Sequence, residues 1–166
     1  MLSISARRTR ILLYSRRAIS SAQLPPLPEV VTTTAEFRSV RAQIQDSIGF
    51  VPTMGSLHAG HISLVKRARA ENKQVVVSIF VNPTQFAAHE DLAKYPRTLN
   101  EDLELLRGLA DIVLAPSDSI ELYPPGSNTV VDLGDAFGSS GGGDSRARPH
   151  FFKGVATICA KLFNIV

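Results

Sequence analysis

GFVPTMGSLHAGH, residues 49–61, is the stretch that decides the fold. The apolar run from Ile48 to Val51 predicts a buried strand that breaks at Pro52. A glycine turn follows, and the spacing of apolar residues from Ile62 onwards predicts an amphipathic helix. A strand, a tight glycine turn and a helix N-terminus are typical of an anion site, usually for a phosphate, because free backbone N–H groups and the helix dipole face the ligand.

Two histidines, His58 and His61, stand three residues apart at the predicted start of this helix. Residues at this spacing share one helix face, so both imidazoles can face the same ligand. Each can donate a hydrogen bond to a phosphate oxygen, and each can titrate near neutral pH. The stretch therefore predicts a nucleotide-phosphate site with two histidines.

Other interpretations of the same stretch are weaker. A Walker A loop requires Lys and then Ser or Thr after Gly60, and neither is present; a G-x-G-x-x-G dinucleotide motif is absent as well. A zinc site lacks further ligands, because the remaining histidines are His89 and His150 and the lone Cys159 has no CxxC partner. No metal-binding side chains are predicted. A purely structural helix-capping role for the two histidines stays open.

Composition excludes several classes of function. The chain has 166 residues, of which 44% are hydrophobic, and this is enough for one domain with a core. The net charge of +3 comes from residues 1–28, which hold five of the 18 basic residues and no acidic one. The remaining 13 basic residues stand against 15 acidic ones, so no nucleic-acid footprint is expected. No apolar run reaches the roughly 18 residues of a membrane span.

Residues 1–28 are rich in Arg and Ser and end in LPPLP. This composition is typical of a transit peptide and predicts a mitochondrial location, with a disordered basic N-terminus in the cytoplasm as the alternative. A single cysteine excludes an internal disulfide and fits a reducing compartment. Residues 29–166 are expected to form one partial nucleotide-binding domain.

The predicted fold class is α/β, with a parallel sheet flanked by helices. Residues 74–81 (QVVVSIFV) are typical of a parallel strand covered on both faces, and strand, helix and strand together predict a right-handed βαβ unit. The other predicted elements are helices over 35–45, 97–110 and 151–166 and strands over 111–115 and, optionally, 129–133. The charged residues of the helix over 97–110, Asp102 among them, are expected to face solvent. Residues 138–143 predict a mobile glycine-rich loop beside an anion-binding cluster of Arg146, Arg148, His150 and Lys153.

Asn82 and Gln85 follow the second predicted strand, at the position where open α/β sheets bind ligands. The Gln85 side chain can donate and accept hydrogen bonds, which suits a hydroxyl or carboxylate ligand. Spacing alone favours a simpler interpretation, a turn built by Asn82 and Pro83.

Six segments together resemble the N-terminal part of the pantothenate synthetase (pantoate–β-alanine ligase) family. They occur in order from about residue 48 to the end: VPTMGSLHAGH (51–61), VVVSIFVNPTQF (75–86), DLAKYPRTLNEDLELL (91–106), DIVLAPS (111–117), ELYPPG (121–126) and FFKGVATICAKLFNIV (151–166). The HxGH motif alone would indicate only the wider nucleotidyltransferase superfamily.

The resemblance implies a Rossmann-like fold of the nucleotidylyl transferase (HUP) type and an ATP-dependent ligase that uses Mg²⁺. Such an enzyme converts pantoate into a pantoyl adenylate and then joins it to β-alanine; its partners are these small molecules, and it is usually a homodimer. The ATP-binding residues implied by matched position are Met54, Gly55, Ser56, Leu57, His58, Ala59, Gly60 and His61. His58 and His61 would stabilise charge on the α-phosphate, with His61 as proton donor. Gln85 would bind pantoate and contact β-alanine, and Asn82 and Tyr95 would line the same pocket.

The sequence also departs from the family pattern. Lys153 stands where an arginine is usual. Many relatives have a histidine at the position of Phe151, whereas the histidine of this chain, His150, lies one residue earlier. His150 is therefore assigned no role. The later motifs of the family do not follow, and the chain is therefore expected to be truncated before the later strands and the C-terminal lid domain. Two alternatives stay open: a catalytically inactive ATP-binding or interaction remnant, and another adenylyltransferase that uses HxGH.

Overall fold

A computed structural model describes residues 24–86, 90, 92–134 and 151–166 of the chain. Three predictions lie wholly or mainly outside these residues: the transit peptide, the glycine-rich loop and the anion-binding cluster, of which only Lys153 is described. Within the described residues, no helix is long and apolar enough to cross a membrane.

Four strands and four α-helices make up the described fold. The strands are β1 (Glu29–Val31), β2 (Ile48–Thr53), β3 (Gln74–Ile79) and β4 (Ile112–Leu114). The helices are α1 (Thr34–Arg41), α2 (Ala59–Glu71), α3 (Leu99–Leu106) and α4 (Phe151–Phe163). Short 3₁₀ turns at Pro83–Gln85, Leu92–Lys94 and Ser119–Glu121 connect them.

The strands form one parallel sheet in the order β1-β4-β3-β2. Val77 lies at the centre, because it is in register with Val51 of β2 on one side and with Val113 of β4 on the other. The parallel α/β class and the βαβ unit are therefore confirmed. Parallel strands end at the same edge of a sheet, so the segments after β2, β3 and β4 lie close together.

Several predicted boundaries were wrong. β2 does not break at Pro52 but continues to Thr53, and this is possible because β2 is an edge strand that can lack one N–H donor. β1 was not predicted, since three residues show no periodicity. Residues 129–133, which are described, form no strand. The helix predicted over 97–110 is shorter, and Asp102 within it is buried rather than solvent-exposed.

Two apolar clusters cover the two faces of the sheet. Val76 of β3 belongs to the cluster with Phe37 of α1 and Ile158 of α4, whereas its neighbours Val75 and Val77 belong to the other cluster. Successive side chains of a strand point to opposite faces, so a strand buried on both faces is apolar throughout. The near-continuous apolar run of β3 is explained in this way.

We expect Leu114→Ala to lower the free energy of unfolding by about 2–5 kcal/mol, because the Leu114 side chain is fully buried in the central part of the sheet and its loss leaves a cavity. Leu105→Ala is the matched control: the Leu105 side chain is 48% exposed, and the same substitution should change stability by less than about 0.5 kcal/mol. Urea denaturation of both variants measures the difference. Equal losses would contradict the assigned core.

Candidate active site

The turn between β2 and α2 has a backbone conformation that few residues adopt. Gly55 has φ +82 and Ser56 has φ +51, so two consecutive residues lie in the left-handed region. A Cβ atom at Gly55 would also lie 3.0 Å from Ile79 Cγ2 and 3.1 Å from Asp102 Oδ2. Glycine is therefore required here for both conformation and space. Ser56 tolerates the strain because its backbone is held from outside the turn.

The Asp102 carboxylate holds this turn. Its oxygens accept hydrogen bonds from the backbone N–H groups of Ser56 (2.9 Å) and Leu57 (2.7 Å) and from Thr98 Oγ1 (3.2 Å), and the residue is only 1% exposed. No sequence signal marks this contact, because Asp102 lies in a charged helix 45 residues from Leu57. Asp102 is thus a site residue that sequence reasoning missed.

The two histidines cap helix α2 with one ring nitrogen each. His58 Nδ1 accepts from the backbone N–H of Gly60 (3.1 Å), and His61 Nδ1 accepts from the backbone N–H of His58 (3.4 Å). A neutral imidazole whose Nδ1 accepts must carry its proton on Nε2. The capping interpretation and the chemical one are therefore compatible, since the caps use Nδ1 and leave two Nε2–H donors.

The pKa of His61 is lowered from its ordinary value, first by burial and then by the neighbouring His58, while Asp102 acts in the opposite direction. The two rings lie with their centroids 4.0 Å apart and an interplanar angle of 31°, so two imidazolium charges would repel strongly. His61 is consequently a neutral hydrogen-bond donor at neutral pH. Its role as proton donor stays a prediction.

A cavity of about 200 Å³ lies beside the turn and brings together Met54, His61, Gln85 and Tyr95. Helix α4 closes one side of it with Val155, Ile158, Cys159 and Leu162. Tyr95 packs edge-on against Phe86, with ring centroids 5.8 Å apart, and burial raises its pKa, so its hydroxyl stays protonated.

Not every predicted site residue presents its side chain to this cavity. Asn82 is fully buried, and its amide bonds to neighbouring protein groups. The Leu57 side chain is 9% exposed and belongs to the core, so Leu57 could contact a nucleotide only through its backbone. Ala59 and Gly60 begin α2 and are exposed, and the Gly60 N–H already donates to His58.

The two cavities of greatest volume among those along the described residues differ in their relation to the predicted site residues. One of about 610 Å³ is lined by Met54 and Gly55 of the turn, and it shares Met54 and Phe80 with the smaller cavity. Another of about 720 Å³ lies between α1, the segment around Leu122 and α4, and its described lining contains none of the predicted site residues. We place the site by its converging polar groups rather than by volume.

Helix α4 approaches the loop after β3 very closely. A Cβ atom at Gly154 would lie 2.5 Å from the backbone oxygen of Thr84, closer than any such contact can be. Only glycine therefore allows α4 to pack against the 3₁₀ turn that carries Gln85. This contact fixes the distance between the cavity-lining face of α4 and Gln85.

The parallel sheet, the glycine turn and the HxGH helix start together define a nucleotidyltransferase-like α/β domain. The comparisons with known proteins give the particular family. Residues 29–166 match the profile of the family described as pantoate-beta-alanine ligase. The chain belongs to this family.

Similar proteins support the assignment over the same region. A pantothenate synthetase of Roseiflexus castenholzii is 54% identical over 137 residues, which are 82% of this chain and 48% of that protein. The crystal structure of pantothenate synthetase from Thermus thermophilus superposes with a TM-score of 0.74 at 45% identity, covering 83% of this chain and 49% of that one. A pantoate-beta-alanine ligase from Francisella tularensis, complexed with beta-gamma ATP and beta-alanine, gives a TM-score of 0.75 at 39% identity, covering 83% and 53%. The chain thus spans about half the length of the curated relatives that it matches.

We expect Asp102→Asn to destabilise the protein by about 1–3 kcal/mol, because one acceptor oxygen is replaced by an NH₂ group that faces backbone N–H donors. The amide resonances of Ser56 and Leu57 should shift in the variant. Glu101→Gln is the control, since Glu101 is the exposed preceding residue of the same helix and should change neither stability nor these resonances.

Removal of the neighbouring imidazole in His58→Gln should raise the His61 pKa, because one of the two causes that lower it disappears. The sign for stability follows from linkage: a histidine with a lowered pKa in the folded state binds fewer protons than in the unfolded state. The free energy of unfolding therefore falls as the pH drops from about 6.5, the ordinary pKa of histidine, towards the lower pKa of His61 in the folded protein. NMR titration of His61 in both proteins measures the shift, and an unchanged or lower pKa in the variant would contradict the assignment.

Proposed function

We propose that this chain carries the adenylate-forming site of an ATP-dependent ligase that makes pantothenate from pantoate and β-alanine. One observation carries the proposal: the HxGH histidines keep both Nε2–H groups available at a helix N-terminus, and His61 lines a cavity with Gln85 and Tyr95. Preorganised donors of this kind stabilise negative charge that develops during a reaction. Family membership supports the choice of substrates.

In the proposed first step, a carboxylate oxygen of pantoate attacks the α-phosphorus of ATP. The new P–O bond forms as the bond to the β-phosphate oxygen breaks, which yields pantoyl adenylate and pyrophosphate. Negative charge grows on the α-phosphate oxygens, where His58 and His61 would donate through Nε2. The start of α2 would add the favourable end of the helix dipole.

In the proposed second step, the amine of β-alanine attacks the carbonyl carbon of the adenylate. The C–N bond forms, AMP leaves with the C–O electron pair, and the amine loses a proton to solvent or to the leaving phosphate. Gln85 would hold pantoate, and Tyr95 would line the same cavity and offer its protonated hydroxyl. Both are held by segments that follow the carboxyl end of β3.

Mg²⁺ is the expected companion of ATP in this reaction. The described residues contain no group of three or more His, Cys, Asp or Glu side chains that could hold a metal ion. The described side chains would therefore not enclose the ion by themselves. Mg²⁺ would bind together with ATP, coordinated mainly by the phosphates and water, as is common for this ion.

Two further proposals concern the whole protein. A homodimer is proposed from the family resemblance, and light scattering of the purified chain tests it. A mitochondrial location is proposed from the composition of residues 1–28, and import of a reporter fused to this segment tests it.

The central proposal predicts pantoate-dependent exchange of labelled pyrophosphate into ATP. His61→Ala should reduce this exchange by about a hundredfold or more, the usual cost of one preorganised donor. Arg67→Ala is the control, because Arg67 is exposed on the same helix and pairs with the exposed Glu71 in its last turns. Folded wild-type protein that binds ATP but shows no exchange would contradict the proposal and favour an inactive ATP-binding remnant.

A further inference from the structure

Asn82 is fully buried, and its side-chain amide uses both ends on neighbouring groups. Oδ1 accepts from Thr84 N (3.4 Å), Thr84 Oγ1 (3.0 Å) and Tyr123 Oη (2.9 Å). Nδ2 donates to Gln85 Oε1 (2.9 Å) and to the Gly154 carbonyl (3.3 Å). The amide has no capacity left for a ligand, so Asn82 must act through a neighbour.

Two backbone groups of fixed polarity determine which way the Asn82 amide faces. The Thr84 N–H can only donate and the Gly154 carbonyl can only accept, so a flipped amide would set donor against donor and acceptor against acceptor. Nδ2 therefore faces Gln85, and Gln85 must present Oε1 to it. The opposite end, Gln85 Nε2, forms no hydrogen bond with any described residue and is left for a ligand in the cavity.

Tyr123 reinforces this arrangement from a distant part of the chain, because its hydroxyl is a further donor to Asn82 Oδ1. Its ring lies near Phe80, with centroids 6.5 Å apart, and under the Lys161 ammonium group, 5.1 Å from the ring centroid. Burial raises the Tyr123 pKa, so its hydroxyl keeps the proton that it donates to Asn82. Tyr123 is not among the described residues that line the 200 Å³ cavity.

We propose that Tyr123 is a positioning residue for substrate recognition: its hydrogen bond holds the Asn82 amide in place, and Asn82 in turn keeps the Gln85 amide turned so that Nε2 faces the ligand. A site that offers an N–H donor at this point selects an oxygen acceptor, such as the carboxylate or a hydroxyl of a small hydroxy acid. This inference rests on the proposed function for the identity of that acid, pantoate, but not for the orientation of the amide.

Tyr123→Phe is the test, because it keeps the ring and removes only the hydroxyl. The Kd for pantoate, measured by calorimetry with ATP present, should rise about fivefold, as expected for the loss of one supporting hydrogen bond. The Kd for ATP should stay unchanged. In a Gln85→Ala background the same substitution should have no further effect on pantoate binding, because the side chain through which Tyr123 acts is then absent. Ser39→Ala is the control: it removes a hydroxyl that donates to Ala35 O on the exposed face of α1 and should change neither Kd.

A second measurement needs no ligand. Hydrogen exchange of the Asn82 side-chain NH₂ group, followed by NMR, should be several-fold faster in Tyr123→Phe than in wild type, because the amide loses one of the contacts that hold it. If wild-type protein does not bind pantoate, the proposed function fails, and this exchange rate alone tests whether Tyr123 holds the Asn82 amide in place. An unchanged exchange rate, an equal fold-change in the Gln85→Ala background or an equal weakening of ATP binding would each overturn the inference.

Discussion

The arrangement of this site depends on one buried carboxylate. Asp102 supplies acceptors for two backbone N–H groups of a turn that cannot satisfy them itself, because Gly55 and Ser56 are held in the left-handed region. The same carboxylate joins α3 to the connection between β2 and α2, so the helix N-terminus and the strand edge are fixed relative to each other. A buried carboxylate is costly without such partners, and here three donors compensate for the lost hydration. The same carboxylate thus holds the turn in place and acts on the pKa of His61.

The histidines show how one residue can serve the fold and the chemistry together. Helix α2 has no Ser, Thr, Asp or Asn at its N-cap, and His58 takes this place with Nδ1. Capping fixes the tautomer, and the tautomer fixes which nitrogen can donate to a ligand. Burial of His61 and the nearby His58 imidazole lower its pKa, so His61 offers a directed neutral donor rather than a positive charge. A neutral donor can be placed at a helix N-terminus without repulsion from the dipole.

Local signals in the sequence were sufficient for much of this fold. The apolar run of β3, the glycine turn and the start of α2 at the two histidines are determined by neighbouring residues, and each was predicted. The residues that hold the site were not predictable, because Asp102 and Tyr123 act across 46 and 41 residues of sequence and no periodicity marks such partners. Charge alone placed Asp102 on a solvated face. Asn82 was expected to line the substrate pocket. In the structure it is fully buried and donates a hydrogen bond to Gln85, and this difference depends on tertiary packing that the local sequence does not reveal.

The close contact at Gly154 has a consequence for redesign of the cavity. Helix α4 packs directly on the backbone of the loop that carries Gln85, and even a methyl group at position 154 would overlap Thr84. The four α4 residues that line the cavity are spaced at i, i+3, i+4 and i+7 and share one face of this helix: Val155, Ile158, Cys159 and Leu162. Ile158 and Leu162 also belong to the buried core, whereas Val155 and Cys159 are only partly buried, so exchanges at these two would change the size and polarity of the cavity with the least disturbance of the core. One wall of the cavity can therefore be varied at two positions while the polar wall opposite keeps its geometry, and a laboratory library would begin at those positions.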